Sequence, residues 1–352
     1  YIKEISIVNP HVTFIYITPE KEKIFYQRVT DELPKEAKEI KPHPYGIELG
    51  HLIKMLQDTR ANTLSGFLQS DFCRVSQGVA SEICEKAKIS PRARPSTIAR
   101  DEAEALYNSI QGTKIIAPPT DCLNPLGGEA LIKGLKKEVN AEFYCAATRP
   151  PSVYRGNPFL IEVGLAYGGS LEKEEHVKIM RYANRVPLLY QQGACATTEA
   201  IVDTSWKNYG VSQSKDSTPV GPVVVVVHMV SVWVPFTSEA KEAIAHYPEI
   251  IKDMKLALQE AGRQMASYIR KNVKAKEQQE RIDLFEKYIP ELASALSSLS
   301  GEKKSEIEEG LQKVLKKGMK DLLAEVKKSQ KTEIKGKNIA FGDKQKTLQE
   351  VE

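Results

Sequence analysis

The chain has 352 residues, and its 50 Lys and Arg against 46 Asp and Glu give a net charge of +4. This length allows two or three domains, and contents of 41% hydrophobic and 27% charged residues exclude a disordered chain. No apolar run approaches the roughly 18 residues of a membrane span, and the first residues lack the features of a signal peptide. The 5 cysteines form no Cys-x-x-Cys pair, which argues against a zinc site or a disulfide framework and favours a reducing, intracellular compartment.

The pattern of residues 1–30 indicates the end of a domain whose larger part lies upstream. Residues 12–17 alternate β-branched and aromatic side chains, which favours a strand, and residues 23–28 can pair with them as a hairpin. A lone hairpin is marginally stable in water. Because the chain also lacks an initiator Met, we expect it to start inside a longer polypeptide or to have been trimmed.

Residues 31–140 predict a proline-containing linker followed by a small all-helical domain. Apolar residues recur at helical spacing in segments near residues 49–56, 63–68, 79–87, 98–110 and 128–139. Short turns between these segments suit a compact helical unit.

Residues 141–272 predict a sheet covered by helices on one face, which makes the fold class α+β. The expected strands are residues 143–148, 159–167, 186–190 and 223–236. A helix is expected over residues 238–272, with Pro248 bending or restarting it. Two long amphipathic helices should follow over residues 273–330, broken at Gly301, and then a polar tail over residues 331–352.

A turn between two predicted helices concentrates positive charge. Lys88, Arg92 and Arg94 lie there, around Pro91 and Pro95. Exposed backbone N–H groups and nearby cations bind DNA phosphates, so these three basic residues are candidate DNA contacts. A solvated loop is the simpler alternative, because Lys and Arg are common on any surface.

Three segments resemble the B subunit of type IIB DNA topoisomerase VI in order and spacing. They are Arg181-Tyr-Ala-Asn184-Arg185-Val-Pro187-Leu-Leu-Tyr190-Gln191, Trp206-Lys207-Asn208-Tyr209, and Val232-Trp233-Val-Pro235-Phe236-Thr237-Ser238-Glu-Ala-Lys241-Glu242-Ala-Ile244. The resemblance implies a C-terminal remnant of a GHKL-type ATPase domain at 1–30 and a helix-two-turn-helix domain with its linker at 31–140. It further implies a transducer domain at 141–272, with a ribosomal-protein-like fold and a left-handed crossover, and helices directed toward the A subunit over 273–330.

The resemblance also implies a function, which is ATP-dependent DNA strand passage. The implied partners are duplex DNA, the topoisomerase VI A subunit, plus a second B subunit in an A2B2 heterotetramer, with no membrane. ATP and Mg²⁺ would be bound mainly by the ATPase domain, most of which is not in this chain, so the fragment alone should not hydrolyse ATP. The family associates the Trp-Lys-x-Tyr segment with DNA sensing, which makes Trp206, Lys207 and Tyr209 further DNA candidates. Trp206 anchoring its loop to the sheet is the alternative, and the two roles are compatible.

Lys241 is the candidate catalytic and nucleotide-binding residue. After a predicted strand, Thr237 or Ser238 can cap a helix, which would place Lys241 in a first turn where helix N–H groups attract phosphate. By resemblance, the matching lysine reaches from the transducer into the ATP pocket and touches the terminal phosphate. A solvated surface lysine is the alternative.

Two other functions remain open. The first is a DNA-binding adaptor of a topoisomerase-like cleavage subunit without ATPase activity, and the presence of Lys241 argues against it. The second is a helix-two-turn-helix glycosylase, for which no N-terminal Pro, catalytic Glu or zinc finger is evident. Asn184 and Arg185 are expected to be structural, with Arg185 a weaker DNA or interface candidate, and His228 is expected to be a hydrogen-bonded core residue.

Overall fold

The computed structural model describes residues 1–315. By compactness the chain divides into two units, Tyr1–Ile269 and Arg270–Glu352. The predicted polar tail, and the part of the predicted C-terminal helices beyond residue 315, lie outside the described residues. The domain boundaries predicted from the sequence stay predictions.

The chain begins with helix α1 (Ile2–Val8) and a hairpin of strands β1 (Phe14–Ile17) and β2 (Lys23–Tyr26). The hairpin is confirmed. Helix α1 is buried through Ile7 and Val8 in the same core as the central sheet. This helix therefore belongs with the sheet and the segments that pack on it, residues 1–8 and 126–269, here called the sheet unit.

Four helices with a core of their own follow: α2 (Leu49–Asp58), α3 (Leu64–Asp71), α4 (Gln77–Ala87) and α5 (Arg100–Gln111). The side-chain oxygens of Thr63 and Ser76 accept hydrogen bonds at the starts of α3 and α4, which satisfies N–H groups that the helices leave unpaired. Phe67, Ile83 and Leu106 are fully buried at the centre. The predicted helices are confirmed here.

Helix α6 (Gly128–Glu138) packs on the sheet, which differs from its predicted place in the helical domain. Its Leu131 and Leu135 share a core with Val224 and Val226 of the sheet. Periodicity identified the apolar face of α6, but it does not say which core that face enters.

The sheet contains six strands, with order β3-β5-β8-β6-β7 and β4 paired to β5. The bounds are β3 Phe143–Thr148, β4 Ser152–Tyr154, β5 Asn157–Tyr167, β6 Lys178–Ala183, β7 Val186–Pro187 and β8 Val223–Ser231. Strands β6 and β8 are parallel and the other pairs are antiparallel. The chain between β6 and β8 includes β7 and helix α7 (Ala196–Val202). This mixture of helices and a mixed sheet agrees with the α+β class.

Helices cover both faces of the sheet, whereas the sequence predicted cover on one face. Helices α1 and α6 share a core with one face. Helix α7 and the first turns of helix α8 (Pro248–Ser300) share a core with the other. All nine residues of β8 are buried, and a strand buried on both faces needs a layer on each side.

Three predicted bounds at the end of the sheet are wrong. Strand β7 is only two residues long, β8 ends at Ser231, and residues 238–247 are not helical. The Ser231 hydroxyl accepts from Trp233 N–H over 3.1 Å and donates to the carbonyl of Pro158 over 3.0 Å, which turns the chain out of the sheet. Pro248 then begins α8, a position where a missing N–H has no cost.

Helix α8 is continuous to Ser300, so the predicted separation near residue 273 is absent, while the predicted break at Gly301 is confirmed. Residues 304–315 are helical again. The predicted apolar stripe is between 42% and 84% exposed among the described residues, at Leu284, Tyr288, Leu292, Leu296 and Leu299.

Candidate functional site

Lys241 lies exposed in a loop, not in the first turn of a helix as predicted. Residues 236–244, here called the Lys241 loop, fold back on themselves through an antiparallel bridge between Phe236 and Ile244. Lys241 itself has φ +56°, and its N–H donates to the carbonyl of Ser238 over 3.1 Å. The attraction of helix N–H groups for phosphate therefore does not apply to Lys241, because α8 begins further along the chain.

The Lys241 loop is fixed near its C-terminal end. The N–H of Ala196 donates to the carbonyl of Ile244 over 2.9 Å. The carboxylate of Glu242 accepts from the side chain of Gln191 over 2.7 Å. The ammonium of Lys241 makes no hydrogen bond or ion pair with any of residues 1–315. An exposed, unpaired cation on an anchored loop is available to an anionic ligand.

The predicted cationic turn consists of two consecutive tight turns between α4 and α5. The first is closed by a hydrogen bond of 2.9 Å from Ala93 N–H to Ser90, and the second is a 3₁₀ turn over Pro95–Thr97. Lys88, Arg92 and Arg94 are all exposed. Their side chains have no hydrogen-bonding or ionic partner in the described part of the chain.

The first of these turns is held against the start of α3. The N–H of Leu64 donates to the carbonyl of Ala93 over 2.8 Å, and the N–H of Ser65 donates to that of Pro91 over 3.0 Å. Both N–H groups belong to the first turn of α3, where no intrahelical partner exists. The cations are thus presented by a backbone of fixed shape.

Trp206 is fully buried, so it does not offer its ring to DNA in this conformation. Its indole N–H donates to the carbonyl of Ile201 over 2.8 Å, and Tyr209 packs edge-on against it. Tyr209 is half-buried and its ring lies against Gly262 of α8, while Lys207 is exposed. These contacts give Trp206 the anchoring role that was its alternative, and that role is compatible with DNA contact by the same segment. The assignment of Trp206, Lys207 and Tyr209 to DNA stays a prediction.

A buried pair that the sequence analysis did not single out joins two strands of the sheet. Glu162 and His228 face each other across β5 and β8, both fully buried, with 2.8 Å between Glu162 Oε2 and His228 Nδ1. The N–H of Arg185 donates to His228 Nε2 over 3.0 Å. That nitrogen therefore carries no proton, and Nδ1 donates to Glu162. The signal in the sequence was a polar residue within each of two apolar strands.

The same carboxylate holds the segment that leads into α6. Glu162 accepts backbone hydrogen bonds from Leu126 over 2.8 Å and from Gly127 over 2.7 Å. Burial acts to raise the pKa of Glu162, but the hydrogen bonds from His228 and these two N–H groups outweigh it and hold the pKa below its usual range. Glu162 is therefore a structural anion.

Asn184 and Arg185 are structural residues, as predicted. Asn184 exchanges two hydrogen bonds with the backbone of Ser231, of 2.8 and 3.0 Å. The guanidinium of Arg185 donates to Asn124 Oδ1 over 3.1 Å and to the carbonyl of Pro125 over 3.3 Å. Together with Glu162, these contacts attach residues 124–127 to the sheet.

The structure places the candidate residues on three separate segments. Residues 88–97 between α4 and α5, here called the two-turn segment, carry Lys88, Arg92 and Arg94. A 3₁₀ turn carries Trp206, Lys207 and Tyr209, and the Lys241 loop carries Lys241. Within residues 1–315, no three His, Cys, Asp or Glu side chains are grouped to hold a metal ion. In the same range, no helix has the length and hydropathy needed to cross a bilayer.

A model of a known protein family matches the part of the chain that contains the six-stranded sheet. Residues 118–281 match the family model of the topoisomerase VI B subunit transducer, a range that includes α6 as well as the strands. Residues 118–281 thus belong to the topoisomerase VI B-subunit transducer family. The resemblance found in the sequence is thereby confirmed.

Known proteins are similar in sequence to this chain over most of its length. The B subunit of type 2 DNA topoisomerase 6 from Methanosarcina acetivorans is 46% identical over 299 residues, which are 85% of this chain and 48% of that protein. The proteins of the same name from Methanococcoides burtonii and Archaeoglobus fulgidus are 47% and 42% identical, over 84% and 88% of this chain and 48% and 51% of their own lengths. The chain therefore spans about half the length of these relatives.

Proposed function

We propose that this chain is the coupling part of an ATP-dependent DNA strand-passage enzyme that relaxes and decatenates DNA. In this proposal, two B subunits close around one duplex when ATP binds, within an A2B2 heterotetramer. The sheet unit transmits closure to the A subunit, which cuts and reseals the other duplex. The observation that carries the proposal is the exposed, unpaired ammonium of Lys241 on an anchored loop of a transducer.

The proposed role of Lys241 is to contact the terminal phosphate of ATP. A compact ammonium on an exposed loop fits this role, because it can approach a phosphate without breaking an existing ion pair. Most contacts to ATP, and those to Mg²⁺, are assigned to the ATPase domain and to no residue described here. This chain alone should therefore hydrolyse no ATP.

For DNA we propose the exposed cations Lys88, Arg92, Arg94 and Lys207, with the half-buried Tyr209 beside Lys207 and the buried Trp206 as the anchor of that turn. Two tight turns between two helices support the assignment of α4 and α5 to a helix-two-turn-helix motif. The left-handed crossover between β6 and β8, and the approach of the C-terminal helices to the A subunit, belong to the same proposal.

The decisive experiment measures ATP turnover by the full-length parent protein in the presence of DNA and the A subunit. Lys241→Ala should lower turnover by one to several orders of magnitude, because a cation aimed at charge developing on a phosphate stabilises the transition state by a few kcal/mol. DNA relaxation should fall in parallel. Lys173→Ala, which removes another exposed lysine from a loop of the same sheet unit, should leave both rates unchanged.

Wild-type turnover in Lys241→Ala would contradict the proposed contact between Lys241 and the terminal phosphate. Absence of ATP turnover by the unsubstituted parent protein would favour the second candidate, a DNA-binding adaptor of a topoisomerase-like cleavage subunit without ATPase activity. The observation that favours this candidate is the exposure of Lys88, Arg92 and Arg94, because contacts between cations and DNA phosphates require no nucleotide. The adaptor would bind DNA and the A subunit equally well with and without ATP.

DNA contact has its own test. Changing Arg92, Arg94 and Lys207 to Glu should weaken binding to all duplexes alike, because phosphate contacts do not read sequence. The slope of log affinity against log salt should become shallower by about 2 to 3, since each phosphate contact contributes about 0.9. A matched variant that changes the exposed Lys35, Lys133 and Lys173 to Glu alters net charge equally. Equal losses in both variants would point to overall charge and against this interface.

A further inference from the structure

Arg181 of β6 is a buried cation, 2% exposed, whose hydrogen bonds all go to main-chain carbonyls. Its Nη2 donates to Leu188 over 2.8 Å and to Tyr190 over 2.7 Å. Its Nη1 reaches the carbonyl of Glu242, the residue after Lys241, over 3.5 Å. Within residues 1–315 no carboxylate forms an ion pair with Arg181.

A buried guanidinium that donates to three main-chain carbonyls holds those carbonyls at fixed positions relative to one another. Removing a charge from water is unfavourable unless hydrogen bonds replace the lost solvation, and three carbonyl oxygens do so here. The guanidinium is planar, so its donors point in set directions. Arg181 therefore fixes the relative position of two chain segments, residues 188–190 and the Lys241 loop. A lysine has a single ammonium and does not reproduce this fork.

The contact to Glu242 lies next to the functional residue proposed above. The bridge between Phe236 and Ile244 holds the base of the loop but not its tip, where Lys241 has a left-handed backbone. Arg181 holds the carbonyl that directly follows the tip.

We infer that Arg181 is a positioning residue, which sets the Lys241 loop so that the ammonium of Lys241 reaches the terminal phosphate of ATP. This inference rests on the proposed function of Lys241. Arg181 contacts no substrate and acts only through the loop. A merely structural arginine would affect the stability of the sheet unit, and any loss of turnover would be unrelated to Lys241.

The first test uses the full-length parent with DNA and the A subunit, and it compares Arg181→Lys with Val226→Ala. Arg181→Lys keeps the charge and loses the fork, so we expect kcat for ATP to fall about tenfold or more. The half-saturating ATP concentration should change less than about threefold, because other residues bind most of the nucleotide. Val226 is buried on the opposite face of the sheet, so its truncation lowers stability while kcat stays at the wild-type value. A comparable kcat loss in both variants would overturn the inference.

The second test is a double mutant, because residues that act through one another are not additive. In a Lys241→Ala background, Arg181→Lys should change turnover by less than about twofold. A full further loss on top of Lys241→Ala would show that Arg181 acts independently of Lys241. If Lys241→Ala alone keeps wild-type turnover, the proposed function fails instead, so the two failures are distinguishable.

A third variant leaves Arg181 and the core untouched. Insertion of one glycine between Lys241 and Glu242 separates the ammonium from the carbonyl that Arg181 holds, at an exposed loop that accepts insertions. It should lower kcat as strongly as Arg181→Lys. Wild-type turnover in the insertion variant would contradict the inference even if substitutions at Arg181 do not fold.

Discussion

Glu162 stabilises the sheet unit through hydrogen bonds that only a carboxylate can accept together. Glu162→Gln replaces one carboxylate oxygen by an amide NH2 group, which then faces either the N–H of Gly127 or the N–H groups of Leu126 and His228. We expect the free energy of unfolding to fall by about 3 kcal/mol, because a buried polar partner is left unsatisfied. Urea denaturation measures this. Glu174→Gln, at an exposed loop position, is the control and should change stability by less than about 0.5 kcal/mol.

The lowered pKa of Glu162 predicts a pH dependence. A carboxyl whose folded-state pKa lies below the unfolded value of about 4.3 contributes its full stabilisation above that value. The contribution is lost as the pH falls through the folded-state pKa. The stability difference between wild type and Glu162→Gln should therefore shrink when the pH is lowered below about 4. A difference that stays constant down to about pH 3 would contradict this assignment.

At the residue scale, the environment of a side chain could be predicted where its sequence neighbours are all of one kind. His228 in an apolar strand was correctly expected to be a hydrogen-bonded core residue. The sequence left two roles open for Trp206, because burial of a large ring depends on tertiary packing, which a local motif does not contain. Glu162 was missed because its partners are distant in sequence: His228 meets it only through the pairing of β5 with β8, and Gly127 only where the segment before α6 packs on the sheet.

Helix α1 packs closely on α6 at a glycine. A Cβ at Gly134 would lie 2.8 Å from the carbonyl carbon of Ile7 and would overlap its oxygen. A helical Gly→Ala change usually stabilises by up to about 1 kcal/mol. At position 134 we expect the opposite, a loss of about 2 kcal/mol measured by denaturation, because α1 must move away.

Gly50 of α2 provides the matched control for this prediction. A Cβ there meets no atom within 4 Å, so Gly50→Ala should follow the usual trend and stabilise the protein. Losses of the same size at both positions would show that the contact between α1 and α6 has no special importance.

At the element scale, helices and strands with clear periodicity were predicted, but their partners were not. The apolar face of α6 and the run of β8 were visible in the sequence. The sequence did not show that both faces of the sheet are covered. The structure shows it, because residues of β8 contribute to two separate cores. The absent helix over residues 238–247 shows the limit of a capping argument, since Thr237 and Ser238 are equally suited to a turn.

The unit Tyr1–Ile269 holds three apolar cores whose members all lie within it. A chain of residues 1–274, which keeps a further turn of α8 after Ile269, should therefore unfold cooperatively. Its free energy of unfolding should lie within about 1 kcal/mol of that of the same unit in the whole chain, as hydrogen exchange of core amides can measure. Loss of a cooperative transition would show that later residues complete a core.

Lys88 and Lys241 have a left-handed backbone, with φ of 58° and 56°. Their side chains therefore lower the stability of the fold at positions that we propose are needed for activity. This conformation costs a residue with a side chain about 1 kcal/mol, and glycine adopts it freely. A library selected only for heat resistance should therefore enrich glycine at both positions. The same library selected for DNA-stimulated ATP turnover should retain lysine, if the two residues act as proposed. Comparing the survivors of the two selections would measure how much resistance to heat the protein gives up for each of these ammonium groups.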